Sequence, residues 1–291
     1  MSVSYRGRFA PTPTGPLHLG SLVTAMASFL EARQHRGDWL LRIDDLDQAR
    51  CRPDAAAQII QTLHRLGFHW QEPVQYQHQH QPAYLEALAR LHADHLLYAC
   101  HCSRQQLRGQ SRYSGTCRTL NLPDAADYAA RIRTHHHAIT VADKWQGVVC
   151  QRLAETCGDF VVRRRDGVTA YQLAVVVDDQ IAGVTHVVRG ADLLESCCRQ
   201  VYLQQRLGYT TPAYQHVPLV LDNDGKKLSK SDAAQPIVLS APLQALRTAW
   251  LFLQPTQIPP DVGTIESFWR WATTHWRGDQ LSRCNHHVTS A

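Results

Sequence analysis

Lysine is scarce in this chain: of 30 Lys plus Arg residues only four are Lys, and three of these, Lys226, Lys227 and Lys230, fall in "DNDGKKLSKSD" at 222–232. A place that concentrates ammonium groups therefore stands out. Lys is a compact, mobile point charge suited to phosphate, whereas Arg is a fixed fork suited to planar bidentate pairing. Taken alone, the stretch reads equally as a solvated hairpin tip with "NDG" as its turn. Long apolar runs are also missing, since none approaches the ~20 residues that span a bilayer. "MSVSYRGRFAP" lacks the apolar core of a signal peptide, so the sequence predicts a cytoplasmic protein with no membrane partner. Nine Cys, an odd number scattered along the chain, argue against a disulfide framework; the close pair Cys100 and Cys102 points to metal or plain thiols. No internal repeat is present.

What is there suits a globular protein of one large domain or two modest ones, with 291 residues of which 44% are hydrophobic. A net charge of +5 permits an anionic partner such as nucleotide or RNA without requiring one. The start reads as a strand "YRGRFA", a loop "PTPTGPLHLG", and a helix over 21–36 closed by Gly37. "DWLLRIDDLD" reads as a second strand ending in carboxylates, and Pro53 opens a helix to Leu66 that Gly67 stops. This β-α-β-α order implies an α/β fold with a parallel sheet. After a helix over 82–97, "YACHCSRQQLRGQSRYSGTCRTL" breaks the pattern as an inserted module. The sheet is expected to resume with "DFVVRR", a Val-rich buried strand "AYQLAVVVDD" and "GVTHVVRG", then a helix over 191–207 and "QHVPLVLD". Helical spacing of Leu243, Leu246, Trp250, Leu253, Ile265, Phe268, Trp269 and Ala272 predicts a small helical tail domain. The expected divisions are 1–97 and 158–238 for the two halves of the sheet domain, 98–157 for the insert and 239–291 for the tail. "THHHA" at 134–138 reads as a solvated loop, because consecutive His side chains cannot all face one ion.

Two loops carry chemistry. In "PTPTGPLHLGS" the following helix offers unpaired N–H groups and a positive dipole end, Gly15 and Gly20 allow close approach of a ligand, and His18 can donate to an oxygen. A His at that place is also a natural cap. Two hundred residues on, "KKLSKS" supplies Lys230 and Ser229 where a sheet strand ends, and open parallel sheets bind ligands at their carboxyl ends. Two separate phosphate-directed loops imply one triphosphate held between them.

With these residues in view, the sequence resembles the class I aminoacyl-tRNA synthetases. "HLGS" with its "APTPTG" lead looks like the HIGH motif and "KLSKS" like KMSKS; "RFAPTPTGPLHLGSL", "LRIDDLD", "AYQLAVVVDD" and "VVRGADLL" resemble the glutamyl branch. The insert and short length resemble shortened members of that branch, which attach glutamate to queuosine in the anticodon of tRNA(Asp). The resemblance implies a Rossmann-like doubly wound sheet with an inserted zinc-binding module and a small C-terminal helical domain. It implies ATP with Mg²⁺, L-glutamate and queuosine-containing tRNA(Asp) as partners of a monomer.

By the same resemblance, His18 and Lys230 are catalytic, and His18, Gly20, Lys227, Ser229 and Lys230 bind ATP, with Lys226 merely solvated. Arg8, Ala10, Thr12, Asp44, Tyr171 and Arg189 bind glutamate: the two Arg can fork onto carboxylates and Asp44 can pair with the α-ammonium. One departure is Asp44 itself, where the glutamyl branch has Glu and glutaminyl enzymes have Asp. Arg189 speaks for glutamate, since glutamine would leave it without a carboxylate. Cys100, Cys102 and Cys117 suit tetrahedral zinc, and the spacing resembles a module whose fourth ligand is Tyr113, not the nearer His101. Cys197 and Cys198 read as packing residues. Other readings remain: a truncated enzyme charging a tRNA 3′ end, an idle RNA-binding relative, and a nucleotidylyltransferase that shares the first loop.

Overall fold

The computed structural model describes residues 4–123, 127–221, 236–254, 256–281 and 286–287. The chain opens with β1 (Arg6–Phe9), α1 (Leu19–Gln34), β2 (Asp38–Ile43), α2 (Ala55–Arg65), β3 (Gln75–Tyr76) and α3 (Gln81–Ala93). Next come β4 (Leu97–Cys100), β5 (Ala129–Ile132), β6 (Ala138–Asp143), β7 (Gly147–Arg152), α4 (Leu153–Thr156), β8 (Phe160–Arg163) and α5 (Tyr171–Ile181). It ends with β9 (His186–Gly190), α6 (Ser196–Leu207), β10 (Ala213–Val217), β11 (Val220–Leu221), α7 (Pro242–Leu253), α8 (Ile265–His275) and β12 (His286–His287).

Strands β1, β2 and β3 run parallel, with Arg8 opposite Leu40 and Ile43 opposite Tyr76. A second sheet has the order β7-β6-β10-β9, in which β9, β10 and β6 are parallel. The two meet between β1 and β9, where the Thr185 amide donates to the Arg6 carbonyl (2.9 Å) and the Arg6 amide to Thr185 Oγ1 (2.8 Å). The chain thus leaves β1 toward β2 on one side and returns to its other side as β9. This reversal opens a crevice at the carboxyl ends of β1 and β9, where open α/β sheets take their ligands.

Helix α1 explains much of the core. Leu22, Val23, Met26, Phe29 and Leu30 are buried around its circumference, as a helix covered on both faces requires. One face meets β1 and β2, and α7 and α8 contribute Leu246, Trp250, Phe268 and Trp269 to the same apolar cluster. Glu31 of α1, fully buried, accepts from Trp276 Nε1 (2.8 Å) and from Lys144 Nζ (2.9 Å), so one carboxylate ties the tail and the β6–β7 turn to α1. Gly67 adopts φ +77°, and a Cβ there would stand 2.6 Å from Ile265 Cγ2, so only glycine closes α2 this tightly against α8.

Two sequence expectations fail. "AYQLAVVVDD" is not a strand but helix α5, with Leu173 through Asp179 all buried. A short unbroken apolar run has no period to separate a strand from a helix covered on every side, and here the covered helix packs against α3, α6 and β8. "DFVVRR" is strand β8, but it pairs antiparallel with β5 in a separate β4-β5-β8 sheet and does not continue the parallel one. No described helix is long and apolar enough to cross a membrane.

Candidate active site

The crevice holds a cleft of about 470 Å³, and its walls include Arg8, Ala10, Thr12, His18, Gly20, Asp44, Tyr171 and Arg189. Eight positions singled out from sequence, on β1, the first loop, α1, the end of β2, α5 and β9, therefore converge on one space. Lys226, Lys227, Ser229 and Lys230 lie outside the described residues. The chain on either side of them borders the cleft: Pro218, Leu219 and Val220 line it, and Ile237 N donates to the Leu17 carbonyl (3.0 Å) beside a bridge from Pro236 to His18.

His18 caps α1. Its Nδ1 accepts the Ser21 amide (3.2 Å), which places the proton on Nε2, 3.0 Å from Ser21 Oγ. A Cβ at Gly20 would crowd this imidazole at 3.3 Å. The loop thus presents an imidazole N–H beside the N-terminal amides of a 16-residue helix, a combination suited to phosphate oxygens.

Beneath the cleft lies a buried charge cluster of which the sequence reading had only two members. Arg8 forks onto Asp179, with Nε to Oδ1 at 3.0 Å and Nη2 to Oδ2 at 3.2 Å. Arg42, buried at the floor, donates from Nε to Asp44 (2.7 Å) and from Nη1 to Asp179 (2.7 Å), with Asp178 at 3.7 Å. Asp178 in turn accepts from Gln77 Nε2 (2.7 Å) and Tyr84 OH (2.6 Å) and meets His80 Nδ1 (2.8 Å). Arg42, Asp178 and Asp179 were missed, yet a signal existed. A doublet of carboxylates ending the buried run "LAVVVDD" demands buried cations, and Arg42 is the charged residue within the apolar strand "WLLRI".

Burial pushes the Asp44 carboxyl up to about 6, against the pull of Arg42, whereas at Asp179 the same burial is outweighed by Arg8 and Arg42 and the carboxyl stays below its usual range. Asp44 can pair with an ammonium only when ionised, and its ionised fraction falls roughly tenfold per pH unit below that value. The KM for an amino-acid substrate should therefore be flat above about pH 7 and rise steeply below about pH 6. Steady-state activation assays between pH 5 and 8 check this, and a flat KM down to pH 5 rejects Asp44 as the ammonium partner.

A second cluster lies in the insert. The Cys100, Cys102 and Cys117 sulfurs all lie within 4.8 Å of one another, with Cys102 and Cys117 at 3.5 Å. Tetrahedral Zn–S bonds of ~2.3 Å put sulfurs ~3.8 Å apart, so the spacing fits. The Tyr113 hydroxyl sits 3.5 Å from Cys100 Sγ and 3.8 Å from Cys102 Sγ and accepts the Cys117 amide (2.9 Å), whereas His101 is exposed. Arg131 adds a positive charge, with Nε 3.2 Å from Cys100 Sγ and its guanidinium 3.7 Å over the Tyr113 ring. Burial raises the Cys100 thiol, but hydrogen bonds from Tyr113 and Arg131 bring it down to about 7, toward the thiolate that metals bind. His135 stacks edge-on with Tyr202, and His136 and His137 are exposed. Cys197 and Cys198 are fully buried on α6, where Cys197 Sγ faces Arg189 and His216 and Cys198 Sγ donates to the Ile139 carbonyl.

Residues 4–240 match the family of class I tRNA synthetases (E and Q), catalytic domain. The glutamyl-Q tRNA(Asp) synthetase of Cupriavidus metallidurans is 50% identical over 289 residues, covering 95% of this chain and 92% of that protein. That of Acinetobacter baylyi is 42% identical, covering 99% of this chain and 97% of that protein. Among solved structures, a glutamate tRNA ligase from Elizabethkingia meningosepticum, in complex with its amino acid, superposes with a TM-score of 0.83. It is 21% identical and covers 99% of this chain and 67% of the other, a likeness of fold. The chain belongs to the class I tRNA synthetases of the glutamate and glutamine type, and within them to the glutamyl-Q tRNA(Asp) synthetase family of ATP-dependent ligases.

Proposed function

We propose that this enzyme activates glutamate with ATP and transfers it to the cyclopentene-diol of queuosine in the anticodon of tRNA(Asp). The observation that carries the reading is the convergence of Arg8, Asp44, Tyr171 and Arg189 on a cleft that also receives His18 at the α1 N-terminus. Carboxylate-directed and phosphate-directed groups share one space, as joining an amino acid to a nucleotide requires. A glutamate α-carboxylate oxygen attacks the α-phosphorus of ATP, the bond to the β-phosphate oxygen breaks, and pyrophosphate leaves. A diol hydroxyl of queuosine then attacks the glutamyl carbonyl, loses its proton and expels AMP.

No enzyme nucleophile takes part, so the protein's work is positioning and charge stabilisation. Arg8, Asp44, Tyr171 and Arg189, with backbone at Ala10 and Thr12, hold the amino acid. His18 and the amides after Gly20 hold phosphate, joined by the ammonium groups of Lys227 and Lys230 and the hydroxyl of Ser229, which offset the charge of the departing pyrophosphate. Mg²⁺ accompanies ATP and offsets the polyphosphate charge.

The test supplies enzyme, ATP, Mg²⁺ and labelled glutamate to tRNA that contains or lacks queuosine, then digests the product and identifies the labelled nucleoside by mass spectrometry. Label on queuosine alone is expected. Label on the terminal adenosine, or equal labelling without queuosine, favours an enzyme that charges the tRNA 3′ end.

In the insert, Cys100, Cys102, Cys117 and Tyr113 are the residues that would hold one structural Zn²⁺, tying down a loop whose own apolar cluster is little more than Cys100, Tyr113 and Cys117. Elemental analysis should find about one zinc per chain, and Cys102→Ser should lose it and become sensitive to proteolysis between residues 100 and 123. Activation of glutamate should suffer less than transfer. Metal-free protein with an equally protected insert rejects the zinc.

A further inference from the structure

Of the four arginines that line the cleft, Arg50 is exposed and pairs with Asp47, and the three buried ones differ in what neutralises them. Arg8 is forked by Asp179, and Arg42 is held by Asp44 and Asp179. Arg189 has no carboxylate within ion-pair distance among the described residues. Its Nε donates to His216 Nε2 (2.9 Å), its Nη1 to Gln200 Oε1 (2.7 Å), and its Nη2 weakly to the Leu193 carbonyl (3.4 Å). Its Nη2 also stands 3.6 Å from Cys197 Sγ, a thiol that burial holds protonated, so all four acceptors are neutral once His216 is neutral. Burial in the apolar core favours that neutral form and lowers the imidazole's basicity.

His216 can accept from Arg189 only because its tautomer is fixed. It stands directly opposite Arg189 across the β9–β10 ladder, so the two side chains share a face of the sheet. Its Nδ1 proton donates to Asp143 Oδ2 at 2.6 Å, which leaves the Nε2 lone pair facing Arg189. Asp143, in turn, is held by the amides of Trp145 (3.0 Å), Gln146 (2.8 Å) and His216 (3.2 Å) on its other oxygen. Asp143 ends β6, so a residue far from the cleft reaches it through one imidazole.

Resting on the glutamate-activating reading above, we infer that Asp143 and His216 are positioning residues that present Arg189 to the cleft as a cation with only neutral partners, and so make the site select a side-chain carboxylate over its amide. The chemistry is direct. A carboxylate in place of His216 would satisfy Arg189 internally and leave it indifferent to the substrate. A neutral imidazole orients the guanidinium yet leaves its charge uncompensated, so a glutamate carboxylate completes the pair and a glutamine amide does not. Asp143 keeps its own charge one imidazole away and spends it on the tautomer.

The experiment measures glutamate- and glutamine-dependent pyrophosphate exchange for wild type, His216→Leu, His216→Gln and Asp143→Asn, with circular dichroism as the check on folding. His216→Leu frees the guanidinium to swing, and its glutamate KM should rise by ~10-fold or more, with kcat and the ATP KM within ~3-fold and the glutamate-over-glutamine preference reduced to match. His216→Gln can give an amide N–H to Asp143 and an amide oxygen to Arg189, and should stay within ~3-fold of wild type. Asp143→Asn can donate to Nδ1, turning an Nε2 proton toward the Arg189 donor, and should raise the glutamate KM. Should His216→Leu not fold, the contrast between His216→Gln and Asp143→Asn decides. Folded His216→Leu or Asp143→Asn protein with a wild-type glutamate KM overturns the inference, as does an equal loss in His216→Gln. Wild-type protein with no glutamate-dependent exchange overturns the functional reading, and this inference with it.

Discussion

His18→Asn should fold normally and lose glutamate-dependent pyrophosphate exchange by ~10²-fold or more, the scale seen when one preorganised donor to a developing charge is removed. The choice of Asn matters because His18 has two jobs in the structure. Its Nδ1 caps α1 by accepting the Ser21 amide, and its Nε2 is the proton-bearing nitrogen at the cleft. Alanine would remove both, at a cost in stability of about 1 kcal/mol for the lost cap. Asn is itself a good cap and restores the first job without reaching the phosphate, so exchange should collapse while thermal unfolding is nearly unchanged. The matching experiment at the other loop is Lys230→Ala, expected to lose a similar factor with the same unfolding temperature. Folded His18→Asn protein with a wild-type exchange rate would assign His18 to capping alone.

How much of this was readable in the sequence depends on how local the signal was. The first loop and α1 were legible because glycines, a cap and an unbroken helical stretch lie within twenty residues of each other. The converging positions were legible through the family resemblance, which assigned Arg8, Asp44 and Arg189 to the amino acid; in the structure each lies in or just after a strand, toward the sheet end where a parallel sheet presents ligand groups. The helical nature of 171–181 was not legible, because burial on every side erases the period on which the reading depends. That error hid Asp178 and Asp179. Read as the end of a strand they had no part in the cleft, whereas one helical turn beyond Val175 they are counter-charges to Arg8 and Arg42. Asp143 and His216 were also out of reach, as they lie 73 residues apart and only the β6–β10 pairing brings them together. Lys227, Ser229 and Lys230 lie outside the described residues, and the chain on either side of them borders the cleft.

Arg42→Leu should be the most destabilising single substitution in the cleft, by about 3–5 kcal/mol, the range for removing one partner of a buried ion pair. The side chain is 1% exposed, and its departure leaves Asp44 with no ion-pair partner among the described residues and Asp179 with Arg8 alone. At about 2–4 °C per kcal/mol for a domain of this size, the unfolding midpoint should fall by roughly 10 °C at neutral pH. The pH dependence gives the prediction its sign. Burial already lifts the Asp44 carboxyl to about 6, and without Arg42 to oppose that burial it rises further. A carboxylate forced to ionise in a dry site destabilises the fold above its folded-state pKa and is relieved as protonation sets in below it. The gap between Arg42→Leu and wild type should therefore be widest near pH 7.5 to 8 and narrow toward pH 5.5. Thermal unfolding followed by circular dichroism at three pH values measures it, with Arg42→Lys expected to fall between the two. The same protonation disarms the site: as Asp44 takes up its proton the substrate ammonium loses its partner, so the rise in glutamate KM on acidification should set in at a higher pH in Arg42→Leu than in wild type, at temperatures where the variant remains folded. A midpoint lowered by less than about 2 °C, or a gap that stays constant with pH, would mean that the three carboxylates do not depend on Arg42 for their charge.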